Sequence, residues 1–279
     1  MMLRKKDFMP LIRTALAEDL GANGDITSRA IFTKKQQAVF TLLAKDDGIL
    51  CGLAPFTAVF KTLSRSIKVD AYFSDGALLK KGDIAARVSG SLTGILTGER
   101  TALNLISHLS GVATKTAEFV RVSRGKPVIL DTRKTIPGMR FLQKYAVATG
   151  GGQNHRMGLF DMILIKDNHV DAAGGITAAV NAARRIWGKR FKIEVETRSL
   201  DEVREALTAG VDRIMLDNMD NATMKQASAL VAGKAETEAS GNMTIERLAT
   251  LADTGVDFVS LGELTHTVKI FDFSLKRES

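Results

Sequence analysis

The stretch VILDTRK, Val128–Lys134, sets three apolar residues directly before an acid and two adjacent cations. A short apolar run bounded by polar residues is the pattern of a strand buried on both faces. Neighbouring positive charges repel, so either both reach solvent or something negative sits between them. The same pattern recurs downstream in MILIKDNH (Met162–His169), KIEVET (Lys192–Thr197), RIMLDN (Arg213–Asn218), TEAS (Thr237–Ser240) and FVSLGE (Phe258–Glu263). The polar ends centre on Arg133, Lys166, Glu196, Asp217, Ser240 and Gly262. Most of these runs lie about 20 to 35 residues apart, the length of one β/α unit. Alternation of this kind implies a parallel sheet. The glycine-rich Gly150–Arg156 stretch reads as a further short strand, which makes about seven in all, near the eight of a closed β/α barrel. An open doubly wound sheet is the alternative, but no GxGxxG turn follows the first strand. In a β/α barrel the site lies at the carboxyl ends of the strands. Asp131, Arg133, Lys134, Lys166, Glu196 and Asp217 would then meet at one mouth.

Upstream, the character differs. From Thr33 to about Gly90 short β runs are broken at Asp47-Gly48, Asp75-Gly76 and Lys81-Gly82-Asp83, which predicts a mostly antiparallel sheet. A helical stretch follows, with Leu96, Leu103, Ile106 and Leu109 as its apolar stripe. The N-terminus carries Leu11, Ile12, Ala15 and Leu16 at helical spacing and reads as an amphipathic surface helix rather than a leader peptide. With 279 residues, 45% of them hydrophobic, the chain can fill one barrel and a smaller partner domain. We therefore expect an α/β protein: an N-terminal α/β open sandwich over 1–112, joined by the tail 269–279, and an incomplete, about seven-stranded β/α barrel over 113–268.

The single Cys51 excludes a disulfide framework and, with no leader in evidence, suggests a cytoplasmic location. No apolar run is long enough to span a membrane. The net charge of +8 suits an anionic partner. One Trp, two Tyr and no long basic run argue against nucleic acid and in favour of small anionic metabolites.

Individual residues carry bland and functional readings side by side. Arg133 and Lys134 are either solvated loop charges or a carboxylate fork beside a compact ammonium. His155 and Arg156 follow three glycines, as a flexible loop or as a place of close backbone approach to a ligand. Lys166 ends a very apolar run, as an anion ligand or a Schiff-base amine; His169 close by reads as structural. Glu194 and Glu196 alternate with Ile193 and Val195, so both acids share one face of a strand. Glu196 and Asp217 would hold Mg²⁺ or sugar hydroxyls, or form internal salt bridges to Lys166 or Arg133. Ser240-Gly241-Asn242 and Leu261-Gly262-Glu263 are turns that allow backbone N–H groups to reach phosphate. Arg100 beside Glu99 reads as a helix-surface ion pair.

Taken together, GERTALNLISHLSGVAT, DTRKTIPGMRFLQKYAV, GGGQNHRMGLFDMILIKDNH, IMLDN, EASGN and GVDFVSLGELTHTVKIFDFSL resemble the quinolinate phosphoribosyltransferase family, also called nicotinate-nucleotide pyrophosphorylase (carboxylating), over nearly the whole chain. The resemblance implies transfer of phosphoribose from phosphoribosyl pyrophosphate to quinolinate with loss of CO₂ and pyrophosphate, giving nicotinate mononucleotide for NAD biosynthesis. It implies that Arg133, Lys134, His155, Arg156 and Lys166 hold the two quinolinate carboxylates, with Thr132 in the same loop. Arg100 is expected to reach a neighbouring subunit's site, which requires a homodimer or higher oligomer. Lys134, Lys166, Glu196 and Asp217 match catalytic positions; Glu196 and Asp217 would also serve Mg²⁺–pyrophosphate. Ser240, Gly241, Asn242, Leu261, Gly262 and Glu263 match the phosphate loops. Three positions depart from the family pattern: Arg198 replaces an acid, Asn242 stands where glycine is common, and Glu263 replaces a small residue and is expected to turn away. A sister family tied to molybdenum transport, a Schiff-base aldolase using Lys166, and a non-catalytic anion-binding accessory are the alternatives.

Overall fold

A computed structural model describes residues 3–33 and 35–278. Its strands, in chain order, are β1 (Gln37–Ala44), β2 (Gly48–Ile49), β3 (Lys68–Ala71), β4 (Leu78–Leu79), β5 (Ile84–Ser91), β6 (Val128–Leu130), β7 (Ile163–Ile165), β8 (Ile193–Thr197), β9 (Arg213–Asp217), β10 (Glu236–Ser240), β11 (Phe258–Ser260) and β12 (Phe273–Arg277). The chain divides into two compact units: 1–117 with 135–151 and 264–279, and 118–134 with 152–263.

In the first unit the sheet order is β12-β1-β5-β3, every pair antiparallel. Alternation along β1 buries Ala38, Phe40, Leu42 and Ala44 on one face, as period two requires. β12 completes the sheet, with Phe40 opposite Arg277 and Ala44 opposite Phe273. The N-terminal helix Lys5–Leu20 buries Phe8, Ile12 and Leu16 along one stripe. In the long helix Leu92–Ser123, Leu103, Ile106 and Leu109 are buried and Leu96 is half-buried. Gly111 lets the C-terminal segment cross that helix: a Cβ there would meet Lys269 O, Val268 and the Ile270 backbone.

The unit boundaries differ from the pattern-based division: 113–117 and 264–268 group with the first unit, and so does an internal segment. Thr135–Gly151 leaves the barrel segment and packs with the first unit. The helix Arg140–Thr149 explains this, because its buried Gln143 and half-buried Tyr145 find their partners there. Gln143 donates to Thr265 O (2.8 Å) and meets His108 Nε2 (2.9 Å), while the Tyr145 hydroxyl donates to Asp75 (2.8 Å).

In the second unit six parallel strands run in the order β6-β11-β10-β9-β8-β7. The last strand in sequence, β11, pairs with the first, β6, so the order is that of a singly wound barrel. The further strand expected in Gly150–Arg156 is reduced to one bridge, Leu130 to Gln153, on the free side of β6. Among the described residues no ladder joins Gln153 to β7, giving an incomplete barrel of six strands and one bridge. One face of the ladder is an apolar row of Ile129, Ile165, Val195, Ile214, Leu216, Ala239 and Val259, all buried, while Glu194, Arg213 and Glu238 lie on the opposite, inward face, so the sheet is covered on both faces.

Replacing Gly111 by alanine should destabilise the protein by about 1–3 kcal/mol, because the obstructing atom is backbone and cannot rotate away. Urea denaturation would register this as a lowered midpoint with an unchanged slope.

Candidate active site

All six parallel strands of the second unit end at one rim. Asp131 follows β6, Lys166 follows β7, Glu196 lies near the end of β8, Asp217 and Ser240 end β9 and β10, and Leu261 follows β11. Asp131 is fully buried. Its carboxylate accepts from Asn154 Nδ2 (2.7 Å) and from the His155 N–H (2.9 Å). The second bond takes the backbone N–H of His155, just past Gln153, where a further ladder bond would otherwise form, and accounts for a strand of a single bridge.

His155 is turned inward. Its Nδ1 accepts the Arg156 N–H at 2.7 Å, so the ring proton resides on Nε2. That nitrogen lies 3.0 Å from Glu194 Oε2 and 3.6 Å from Glu238 Oε2. Sequence reasoning expected the ring among the carboxylate ligands; here Nδ1 takes the Arg156 N–H and Nε2 faces Glu194 and Glu238. Glu194 and Glu238 have no exposed surface, and both Glu194 oxygens and Glu238 Oε1 lack a conventional hydrogen bond. Arg213 lies alongside, with one terminal nitrogen 3.0 Å from Glu238 and the other 3.0 Å from Glu236. Burial pushes both carboxyls up to about 7; Arg213 opposes the rise at Glu194, and repulsion from Glu194 adds to it at Glu238. Ligand atoms of His155, Glu194 and Glu238 lie within 4.8 Å of one another, the spacing of a metal cluster. A proton on Nε2 leaves that nitrogen no lone pair for a metal, so the donor set fits a retained proton better than an ion.

The cations expected at the rim occur there. Arg156 is partly buried and donates to Met162 O at 3.2 Å. Burial and then the nearby Arg133 cation pull its pKa down, opposed by Glu194 and Asp161, which records the mutual repulsion of a cationic pair. Thr132 Oγ1 accepts the Lys134 N–H at 3.0 Å and shapes the loop that carries Arg133. Lys166 Nζ pairs with Glu196 at 2.6 Å, the internal salt bridge weighed as the alternative to metal binding. An ammonium has three donors, and this bond uses one. His169 Nδ1 accepts the Lys166 N–H at 2.9 Å and closes the turn into the next helix, the structural role read for it. Asp217 is half-buried and accepts from Asn218 Nδ2 at 2.8 Å. Gly262 and Glu263 are half-buried, and Glu263 opens the helix Glu263–His266. Arg198 is drawn to Glu202 (3.0 Å) and Asp171 (3.6 Å).

Arg100 belongs to the first unit. It is exposed and lines a groove of about 860 Å³ together with Glu18, Asp19, Asp46, Lys269 and Asp272. Sequence reasoning did not single out Glu238, Arg213 or Arg247. Glu238 had a readable signal, an acid inside a strand-like run between Thr237 and Ala239. Arg213 and Arg247 had none, because they act through partners on other strands or loops.

Comparison with known proteins agrees over the whole molecule. Residues 25–110 match the N-terminal domain of quinolinate phosphoribosyl transferase and residues 112–276 match its C-terminal domain. The chain belongs to the quinolinate phosphoribosyltransferase family. A probable nicotinate-nucleotide pyrophosphorylase [carboxylating] of Bacillus subtilis is 44% identical over 266 residues, 95% of this chain and 91% of that protein. The chloroplastic nicotinate-nucleotide pyrophosphorylase [carboxylating] of Oryza sativa subsp. japonica is 42% identical, covering 97% of this chain and 77% of the relative. The crystal structure of NadC from Streptococcus pyogenes superposes with a TM-score of 0.95 at 40% identity, over 99% of this chain and 98% of that one.

The Glu194–Glu238 pair makes stability depend on pH in a defined direction. A carboxyl whose native pKa is raised stabilises the fold fully below its unfolded value of 4.5 and loses that contribution as pH rises through about 7. Unfolding free energy should therefore fall between about pH 5 and pH 8, by roughly 3 kcal/mol for one retained proton. His108, whose pKa burial lowers, works in the opposite direction. The difference between wild type and Glu238→Gln in urea denaturation at several pH values isolates the acid pair, and the variant should show the flatter profile.

Proposed function

We propose that the protein is a decarboxylating phosphoribosyltransferase that converts quinolinate and phosphoribosyl pyrophosphate to nicotinate mononucleotide, CO₂ and pyrophosphate in NAD biosynthesis. The observation that carries this reading is the gathering of Arg133, Lys134, Arg156 and Lys166 around one rim of the second unit, beside Glu196 and Asp217, in a chain of this family. A planar dicarboxylate meets two guanidinium forks and two ammonium groups there, and offsets the repulsion between Arg133 and Arg156. Lys166, held by Glu196, offers its remaining donors to a carboxylate. His155 contributes from below, as the anchor of the peptide that leads into Arg156. The buried free thiol of Cys51 supports a cytoplasmic location as part of this proposal. Among the described residues, no helix is long and apolar enough to cross a membrane.

With quinolinate so held, the pyridine nitrogen lone pair forms the bond to ribose C1. The C1–oxygen bond to pyrophosphate breaks, and pyrophosphate takes the electron pair. Positive charge develops on the sugar, where Glu196 and Asp217 supply opposing charge. These two carboxylates, on adjacent strand ends, are hard oxygen donors suited to Mg²⁺, which when bound would neutralise charge on the pyrophosphate. The ring nitrogen is then cationic and lies next to the carbon bearing the 2-carboxylate. That bond breaks with loss of CO₂, the electron pair stays on C2 beside the cationic nitrogen, and a proton from Lys166 or water completes the product. The turns Ser240-Gly241-Asn242 and Leu261-Gly262-Glu263 are assigned to the donor's phosphates through backbone N–H groups. Arg100, exposed on the first unit, is assigned to the site of a second copy, so that the active form is a dimer or higher oligomer.

Incubation with quinolinate, phosphoribosyl pyrophosphate and Mg²⁺ should release CO₂ and nicotinate mononucleotide in equal amounts; absence of both would refute the reading. Arg133→Ala should weaken quinolinate binding by roughly 2–5 kcal/mol, because a carboxylate loses its mate. Unchanged affinity by calorimetry would remove Arg133 from that role. Mixing inactive Arg100→Ala with inactive Lys134→Ala subunits should restore part of the activity in verified mixed dimers, and none if each site is built from a single chain.

A further inference from the structure

The loops after β9 and β10 are stitched together by one side chain. Arg247 sends Nη1 to Gly241 O at 3.1 Å and Nη2 to Met219 O at 2.8 Å. The two carbonyls belong to different strand-end loops, one following Asp217 and the other following Ser240. Those loops need an external tie, because their backbone is unusual. Gly241 has φ +91° and Asn242 has φ +44°, two successive residues in the left-handed region, and Asn218 opposite them has φ +54°. The Asn218 N–H donates to Ser240 O at 3.0 Å. The Asn218 side chain packs so closely on Gly241 that a Cβ at Gly241 would overlap it. A non-glycine residue resists φ > 0, and a loop with such residues persists only where its surroundings over-determine it. Arg247 supplies that constraint, and the bond from Asn221 Nδ2 to Thr250 O at 3.1 Å joins the same two segments a little farther out.

We propose that Arg247 is a positioning residue for the phosphoribosyl donor, setting the gap between the β9 and β10 loops and so aiming the Ser240–Asn242 backbone at a donor phosphate. The guanidinium suits this task because its terminal nitrogens diverge in one plane and can hold two carbonyls at a fixed separation. An ammonium is a point charge and cannot. Arg247 acts through the carbonyls rather than by touching the reacting atoms, and it follows β10, whereas Arg133 follows β6 and Arg156 follows the bridge at Gln153. Its loss should therefore weaken the donor and spare quinolinate.

This inference rests on the assignment of the Ser240–Asn242 turn to a donor phosphate, so the experiment separates the two. Steady-state kinetics and direct binding of phosphoribosyl pyrophosphate are measured for the full chain and for Arg247→Ala, Arg247→Lys and Gly241→Ala. We expect the KM for phosphoribosyl pyrophosphate to rise roughly 10- to 100-fold in all three, on the scale of an ångström-size misplacement, with the KM for quinolinate unchanged. Arg247→Lys keeps the charge and most of the stem, so it answers the question even if Arg247→Ala fails to fold. A loss of folded protein alone would lower apparent kcat and leave both KM values in place, and that outcome overturns the proposal. If Gly241→Ala raises the donor KM and neither Arg247 variant does, Arg247 has no positioning role although the loop assignment stands. If none of the three moves it, the loop assignment itself is wrong.

Discussion

Six strands hydrogen-bonded in one direction must present their carboxyl ends at one edge, and the chemistry of this protein depends on that constraint. Residues from Asp131 to Leu261, 130 positions apart in sequence, are brought to a common rim because each ladder repeats the direction of its neighbour. Attraction between the side chains does not account for the whole set. Arg156 has its proton affinity lowered by burial first and by the neighbouring Arg133 cation second. The backbone ladder, buried on both faces and rich in branched aliphatic residues, supplies the free energy that holds like charges together. An anionic substrate is then attracted to a site whose electrostatic strain was set during folding.

Directly beneath that rim the protein buries charge. Glu194 and Glu238 sit on β8 and β10 and Arg213 on β9 between them, with His155 closing the group. A carboxylate removed from water is costly unless it is paired or protonated. Here both answers apply: Arg213 pairs with Glu238, and the raised proton affinity keeps a proton within the acid pair near neutrality. The group orients the His155–Arg156 peptide from below, as Asp131 does from the side by accepting the His155 N–H. The loop bearing Arg156 is thus held by buried acids on two sides, which gives an otherwise glycine-rich segment a defined course.

Much of this was legible in the residues. The apolar runs that end in polar residues became β6 to β11, and the Asp-Gly and Lys-Gly-Asp punctuation upstream marked the antiparallel sheet. The alternation of Glu194 and Glu196 with Ile193 and Val195 placed both acids on one strand face, and they did find cationic or protonated partners. The strand expected near Gln153 shrank to a bridge because Asp131 competes for the backbone that would have extended it. Thr135–Gly151 changed units because Gln143 and Tyr145, unremarkable polar residues in a linear reading, hydrogen-bond to Thr265 and Asp75 of the first unit. The inward turn of His155 was not visible either, since tautomer and ring direction depend on Glu194 and Glu238, which lie 39 and 83 positions away.

What the amino-acid order determined by itself is local: the period of each element, the turn chemistry, the charge carried at each strand end, and with these the family. Such features follow from interactions within a few residues and survive in any reading of the chain. Only the tertiary structure decided which opposite charge each ion would meet. Lys166 chose Glu196, Arg213 divided itself between Glu236 and Glu238, and Arg247 clasped two carbonyls from separate loops. The physical reason is that pairing energy depends on distance and burial, quantities that exist only after the ladder has closed.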